Sequence, residues 1–472
     1  MIGPSFHPEP IRAVCERRRK LAFALTPRAI GLLVAGFLLL IPGFYNARLS
    51  YAMLVWDAIV LLAAVLDGLR LPQASLLTVE RSWSNAPALD SETEIELSVT
   101  NQGRVIVECL LTDDLPAALA HEPVRQRVTA FPRVAARTRF RITPRERGDW
   151  ETGSVYMRYR SPLGLAERWA RAALTQPVRI YPALRSGEEQ QMFLARSRQI
   201  DLQLRLARQR GLGRDFESLR DYREGDDLRD VCWTATARRG GLITRQYQTE
   251  RSQAVWVVLD CGRLMRARIA GATETDPGRD GATHVHSKLD HACSTAVALA
   301  QLALYGGDRV GLLVYGQTIQ QRLLPGRGAA HLRQFIELLA QARAETSEAD
   351  HLRATAVLNR LQPRRSLILW ITDLAETAMR PEVIDGAVQL LRRHVLLFVA
   401  MAQPEVDRVA GARPKSVDEM FRAAAAQEMA ARRELLLARL REHGALTLDL
   451  DPDRLTSAVL NQYLTVKERA MV

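Results

Sequence analysis

Aromatic residues are scarce, at 6% of 472. A nucleic-acid surface needs a basic stripe interleaved with stacking rings, so that class is disfavoured. Cysteine is equally thin: Cys15, Cys109, Cys232, Cys261 and Cys293 are scattered, odd in number and without a CxxC pair. Neither a zinc site nor a disulfide framework is implied, and free thiols in a reducing compartment are expected. No GxxxxGK[ST] occurs, Gly211-Leu-Gly213 lacks the third glycine of a dinucleotide loop, and no GxSxG or Ser-His-Asp arrangement stands out. P-loop nucleotide binding and serine-hydrolase chemistry therefore drop out, and no cofactor is required. Acidic residues are in deficit: the net charge is +12, with arginine supplying nearly all the positive charge. A solvated basic face accounts for most of this. Beside a membrane segment, arginines also suit the anionic inner-leaflet surface.

What is present begins with length. A chain of 472 residues with 47% hydrophobic content folds as two or three domains. Two apolar runs lie near the start, Ala29 to Tyr45 and Tyr51 to Leu66. Each falls slightly short of the roughly 20 residues that cross a bilayer core, and Pro27, Leu49 and Leu69 extend them. A soluble helical hairpin would carry a polar face, which these runs barely have. They predict a transmembrane hairpin over 27–70, following an N-terminal tail at 1–26. Arg12, Arg17, Arg18, Arg19, Lys20 and Arg28 precede the first run, Arg48 alone marks the turn, and Arg70 and Arg81 follow the second. That asymmetry places the tail and the large C-terminal part in the cytoplasm. A late-starting run followed at once by another does not look like a cleaved signal peptide. Asp57 is the one charge inside the second run. It marks a helix–helix or oligomer contact, or it sits off-centre and reaches for the headgroups.

From about 75 to 182 the pattern changes. In Thr93-Glu-Ile-Glu-Leu-Ser-Val-Thr-Asn101 apolar and polar residues alternate, the mark of a half-buried strand. Arg104 to Leu111 and Arg137 to Ile142 look similar, and breakers recur at hairpin spacing. A small β-sandwich is expected. Ser161-Pro-Leu-Gly-Leu165 reads as a turn into another strand. Residues 183–253 follow as a linker, polar from Arg185 to Leu206, and a charged stretch from Asp215 to Arg251. There Arg238-Arg-Gly-Gly241 reads as a turn between a helix and the strand Ile243 to Tyr247. Tyr222 and Trp233 beside Arg223, Arg238 and Arg239 favour a packed, partly buried network.

Residues 254–472 alternate strands and helices, which predicts a doubly wound α/β domain. Ala254 to Leu259 is a near-continuous apolar strand of the kind buried on both faces of a parallel sheet. Ser366 to Ile371, His394 to Ala400 and Ala445 to Leu450 are further strands, and Ile319 to Leu323 pairs with Arg309 to Val314. Lys288 to Tyr305, Ala329 to Ala342, Asp418 to Glu442 and Asp453 to Leu464 are helical. Ligands of such sheets bind at the carboxyl ends of the strands, and Asp260 and Asp373 both stand there. Two such acids suit a hard cation such as Mg2+. His284, His286 and His291 lie in one loop without an evident third ligand. Cys261 beside Asp260 is expected to be inert, because a neighbouring carboxylate disfavours the thiolate.

The pattern resembles a von Willebrand A domain, whose metal site reads Asp-x-Ser-x-Ser after the first strand, a threonine later and an aspartate after the fourth strand. The run LRDYREGDDLRDVCWTATARRGGLITRQYQTERSQAVWVVLD, inside Asp215 to Met265, looks like the signature of the DUF58 family. That resemblance covers the whole chain. Asp260 and Asp373 match the first and last acids, but Gly262 and Leu264 stand where the serines belong and no threonine occupies the expected place near Pro325-Gly-Arg-Gly328. Any cation held by two carboxylates and water would be weakly bound. The resemblance implies a non-catalytic adaptor at the bacterial inner membrane that works with a MoxR-type AAA+ ATPase and other A-domain proteins. Its expected interaction residues are Arg220, Asp221, Tyr222, Arg223, Gly225, Asp226, Asp227, Trp233, Arg238 and Arg239. The rival expectation is a Mg2+-dependent hydrolase using Asp260, Asp373 and an acid such as Asp226 or Asp227, or a receptor domain that grips an acidic side chain through a metal.

Overall fold

The alternation along Glu94–Thr100 is matched residue by residue in burial, Ile95, Leu97 and Val99 inward and the polar residues between them less buried. The computed structural model describes residues 8–17, 23–39, 47–120, 122–183, 192–197, 199, 215–223, 231–248, 253–270, 285–374 and 382–469. It divides the chain into two units, Met1–Ala183 and Leu184–Val472.

The first unit contains β1 (Ile11–Arg17), β2 (Phe23–Leu25), β3 (Leu77–Trp83), β4 (Thr93–Asn101), β5 (Val107–Asp113), β6 (Val124–Ala130), β7 (Ala135–Ile142), β8 (Gly148–Thr152), β9 (Val155–Arg160), β10 (Ala166–Ala172) and β11 (Gln176–Ile180). The main strand order is β6-β5-β9-β10-β1-β3-β4-β7, with β2 also on β10 and β8 paired to β11. Strand β1 joins the two halves. Ile11–Val14 pairs antiparallel with β3, while Cys15–Arg17 pairs with β10. Leu77, Val79 and Leu97 from one half and Leu111, Met157 and Tyr159 from the other share one core. Each such side chain contributes about 1.5–3 kcal/mol of burial. The span expected as a tail thus contains two strands of this domain. Ile11, Ala13 and Cys15 turn inward while Arg12, Val14 and Glu16 remain exposed, which lets so basic a segment join a sheet.

Two helices, α1 (Pro27–Gly36) and α2 (Ala47–Arg70), enter between β2 and β3. Among the described residues one helix is long and apolar enough to cross a membrane, Tyr51–Arg70, with mean hydropathy 2.0 and 22% of its window buried. A core helix of a soluble protein would be mostly buried, so the low figure favours lipid around it. Helix α1 is apolar but shorter, and 40–46 lie outside the described residues. Trp56 Nε1 donates to Leu32 O at 2.9 Å. A Cβ on Gly36 would meet Asp57 Oδ1 at 2.7 Å and Trp56 Cδ1 at 2.8 Å, so glycine is what lets the helices meet there. Asp57 faces the other helix, the first of the two roles considered for it.

Both helices are tied to the turn Ser161–Leu165. Thr26 caps α1, accepting from Ala29 N at 3.3 Å and donating to Gly164 O at 2.5 Å. Asp67, buried in the last turns of α2, accepts from Ser161 Oγ at 2.5 Å and from the amides of Leu165 and Ala166 at 3.1 Å.

The second unit opens with a hairpin of β12 (Asp215–Asp221) and β13 (Ile243–Gln248) flanking α3 (Trp233–Arg239). It continues with β14 (Ala254–Asp260), β15 (Arg268–Ala270), β16 (Val285–Ser287), α4 (Lys288–Tyr305), β17 (Arg309–Tyr315), β18 (Ile319–Gly326), α5 (Gly328–Gln341), α6 (His351–Leu361), β19 (Leu367–Thr372), α7 (Glu382–Leu391), β20 (Val395–Met401), α8 (Pro404–Gly411), α9 (Val417–Glu442), β21 (Leu446–Leu450) and α10 (Pro452–Glu468). The six-stranded sheet runs β18-β17-β14-β19-β20-β21. Its pairings are parallel except β18 on β17. All of β14, β19 and β20 is buried, as their unbroken apolar runs require. Trp256, Val258, Trp370 and Phe398 line one face, packed with Leu358, Leu390 and Leu437. Helix α4 packs on β14 and β17, and α10 packs on α4 and β21. After β14 the chain continues to β17 on one side and later to β19 on the other. The order therefore reverses between β14 and β19, where a crevice opens at the strand ends of such sheets.

Candidate functional site

Asp260 closes β14 and Asp373 follows β19, so the two carboxylates occupy neighbouring strand ends at that reversal. Asp260 is 4% exposed. Its Oδ1 accepts from Gly262 N at 2.7 Å and its Oδ2 from the Thr372 hydroxyl at 2.6 Å. Burial raises its pKa above the ordinary 3.8, opposed by nearby His351 and by these hydrogen bonds and reinforced by the charge of Asp373.

Asp373 is held differently. Lys288, the first residue of α4, places Nζ 2.6 Å from Oδ2, with both side chains almost fully buried at 3% and 1% exposure. Arg433 of α9 donates Nη1 to Oδ1 at 3.2 Å. Gln403 Nε2 reaches both oxygens at 3.2 Å. Arg433 also binds Asp449 and the carbonyl of Met401, each through Nη2 at 2.7 Å. Asp373 is thus the hub joining α4, β20 and α9.

Behind Asp260 lies an aromatic relay. Trp370 Nε1 donates to the Tyr315 hydroxyl at 2.7 Å, and that hydroxyl stands 2.9 Å from His351 Nδ1. The hydroxyl accepts from tryptophan, and it keeps both a proton and a second lone pair with which to meet Nδ1. Burial, with Asp260 second, pushes the Tyr315 pKa well above 10.0.

These residues do not fit a bound metal. Both oxygens of Asp260 already accept protein donors, and Asp373 already faces an ammonium and a guanidinium. A Cβ on Gly262 would meet Ala349 N at 2.9 Å, Ala349 Cβ at 3.0 Å and Asp260 Oδ1 at 3.1 Å. A serine ligand at 262 is sterically barred unless that loop moves. Among the described residues no group of three His, Cys, Asp or Glu is placed to hold a metal. His284 lies outside the described residues, and His286 and His291 meet edge to face at 5.8 Å. All five cysteines are buried and outside any disulfide.

The charged signature sits on the hairpin. Arg220 and Asp221 end β12, and Tyr222 and Arg223 follow, with Tyr222 N bonded to Leu242 O at 2.9 Å. Gly225, Asp226 and Asp227 lie outside the described residues. Trp233 is 64% exposed, and Arg238 and Arg239 are exposed. Trp233, Arg238 and Arg239 do not supply the partly buried packing expected there, because α3 has seven residues and buries none of them. Gly240 caps α3 at φ +72°, the left-handed turn that the Arg-Arg-Gly-Gly stretch suggested. Lys288, Thr372, His351 and Arg433 escaped the sequence reading. For Lys288 there was one signal, a lysine opening a helix in a chain whose cations are nearly all arginine.

Comparison with known proteins adds the family. The model described as protein of unknown function DUF58 matches residues 218–409. An uncharacterized protein of Mycobacterium tuberculosis is 28% identical over 272 residues, covering 55% of this chain and 81% of the relative. An uncharacterized protein of Mycobacterium bovis matches to the same extent. Among solved structures, the conserved hypothetical protein BatB from Bacteroides thetaiotaomicron aligns at TM-score 0.31 and 15% identity, over 46% of this chain and 100% of its own. A von Willebrand factor type A protein from Catenulispora acidiphila aligns at TM-score 0.28 and 14% identity, over 48% and 44%. The matched span takes in most of the signature at 215–251, so the C-terminal part of this chain is similar to the DUF58 family.

Proposed function

We propose that the chain is a membrane-anchored, non-catalytic adaptor. Helices α1 and α2 form a membrane hairpin, and the von Willebrand A-like sheet docks a partner protein. The observation that carries this reading is the state of the strand-end acids: Asp260 and Asp373 are each engaged by protein donors. A general base or metal ligand needs a carboxylate open to substrate or ion. Strands β1 and β2 before the helices and β3 after them belong to one sheet, which supports both helix ends lying on one side of the bilayer. With the arginine asymmetry, that side is the cytoplasm of a bacterial inner membrane. The partner by family resemblance is a MoxR-type AAA+ ATPase, which supplies the energy, together with other A-domain proteins in assembly, maturation or envelope stress. Loops over a rigid sheet suit such docking. The test is co-purification from detergent of the tagged full chain with a co-expressed MoxR-type ATPase. Retention that depends on nucleotide state is expected. Absence of association in both ATP and ADP would remove the adaptor reading.

A further inference from the structure

We infer that Lys288 is the resident cation of the strand-end site, bound to Asp373 in place of a divalent ion. The inference rests on reading this edge as non-catalytic, and its metal titration can fail while the ATPase association stands. Three observations carry it. Lys288 opens α4, and a cation there opposes the positive end of the helix dipole. Ser287 and Asp290 close a capping box around that same turn, so the helix start is otherwise built by the usual rules. A lysine in the disfavoured place needs an outside reason, and Asp373 at 2.6 Å supplies it. Second, only four of the 65 basic residues are lysines: Lys20, Lys288, Lys415 and Lys467. Arginine is the default cation of this chain, so the compact point charge of an ammonium at 288 departs from its habit, and a point charge is what a metal ion would be. Third, the charges balance locally. Lys288 and Arg433 face Asp373 and Asp449, two cations to two carboxylates, and of the two positive units a divalent ion would add, Asp260 could offset only one. The site is therefore filled from within, and whatever docks at this edge does so without a bridging metal.

The experiment uses the full chain in detergent with Mn2+ as probe, free Mn2+ being read by electron paramagnetic resonance. The native chain should show no saturable binding up to about 1 mM, the weak end of protein sites for hard cations. Lys288→Ser should gain one Mn2+ per chain, lost again in Lys288→Ser combined with Asp260→Asn. Saturable binding by the native chain that disappears in Asp260→Asn overturns the inference. So does a folded Lys288→Ser that gains none. If that variant does not fold, amine acetylation of the native chain decides. Lys288 should react on the order of tenfold or more slowly than exposed Lys415, being reached only through local opening; equal rates overturn the assignment.

Discussion

Replacing Asp373 by asparagine should cost far more than the same change at Asp260, although both are buried acids on neighbouring strands. At the observed 2.6 Å, Coulomb's law with an effective dielectric of about 20 gives about 6 kcal/mol of attraction between Asp373 and Lys288. Desolvation offsets part of that in the native pair. Removing one partner strands the other charge, and the net loss for such buried pairs is about 3–5 kcal/mol. Asp260 has no cation in contact; its charge is held by an amide and a hydroxyl, and burial raises its pKa. A folded-state pKa above the unfolded one means that ionising Asp260 lowers stability as pH rises from 3.8 through the raised value. Asparagine keeps the acceptor for Gly262 and drops the desolvated charge, so Asp260→Asn should change stability by no more than about 1 kcal/mol. The assay is hydrogen exchange by mass spectrometry on the full chain in detergent, following peptides over Val255–Leu259 and Leu367–Ile371. A difference of about 3 kcal/mol would appear as more than a hundredfold faster opening in Asp373→Asn. Equal losses for the two variants, or a loss below about 1 kcal/mol in Asp373→Asn, would refute the ion-pair account and return a charge-bearing role to Asp260.

Two further outcomes follow from the geometry. His394, buried and 3.0 Å from Ser366 Oγ, has its pKa pushed down to about 4 by burial and by Arg393. Its contribution is fully present above pH 6.5 and is lost as pH falls toward 4. Urea titrations at pH 7.5 and 4.5 should therefore show a loss of up to about 3 kcal/mol in the second unit, flattened in His394→Gln; an unflattened profile would exclude His394 as the source. Asp67→Ala should deprive Ser161, Leu165 and Ala166 of their acceptor and loosen the β9–β10 turn by about 2–3 kcal/mol, read as faster exchange over Ala166–Ala172, with Asp67→Asn intermediate. Unchanged exchange there would mean the turn does not hold α2.

Elements whose logic is local were legible. The alternation in β4, the unbroken apolar run of β14 and helix α4 from Lys288 to Tyr305 lie where the sequence reading placed them. What depends on distant partners was not. Strand β1 is short, basic and half-buried, and its partners β3 and β10 are more than 60 and 150 residues away along the chain. The Lys288–Asp373 contact spans 85 positions, so no window of sequence contains it. The glycine at 262 read as a lost ligand; only the nearness of Ala349 shows it to be a packing requirement. Trp233 misled in the opposite sense, since aromatic and arginine neighbours suggest burial but a seven-residue helix on a two-stranded hairpin provides no layer to bury them in.

The helices that interrupt the β-domain also set a timetable for its synthesis. Strand β1 leaves the ribosome early but has neither neighbour until β3, and later β10, have followed. On the membrane hairpin proposed above, the chain sends α1 and α2 into lipid and brings them back in that interval. A helix pair that failed to return would leave β1 and β3 on opposite sides of the bilayer, with the shared sheet impossible to close. Under that proposed anchor, completion of this domain is a check on its threading.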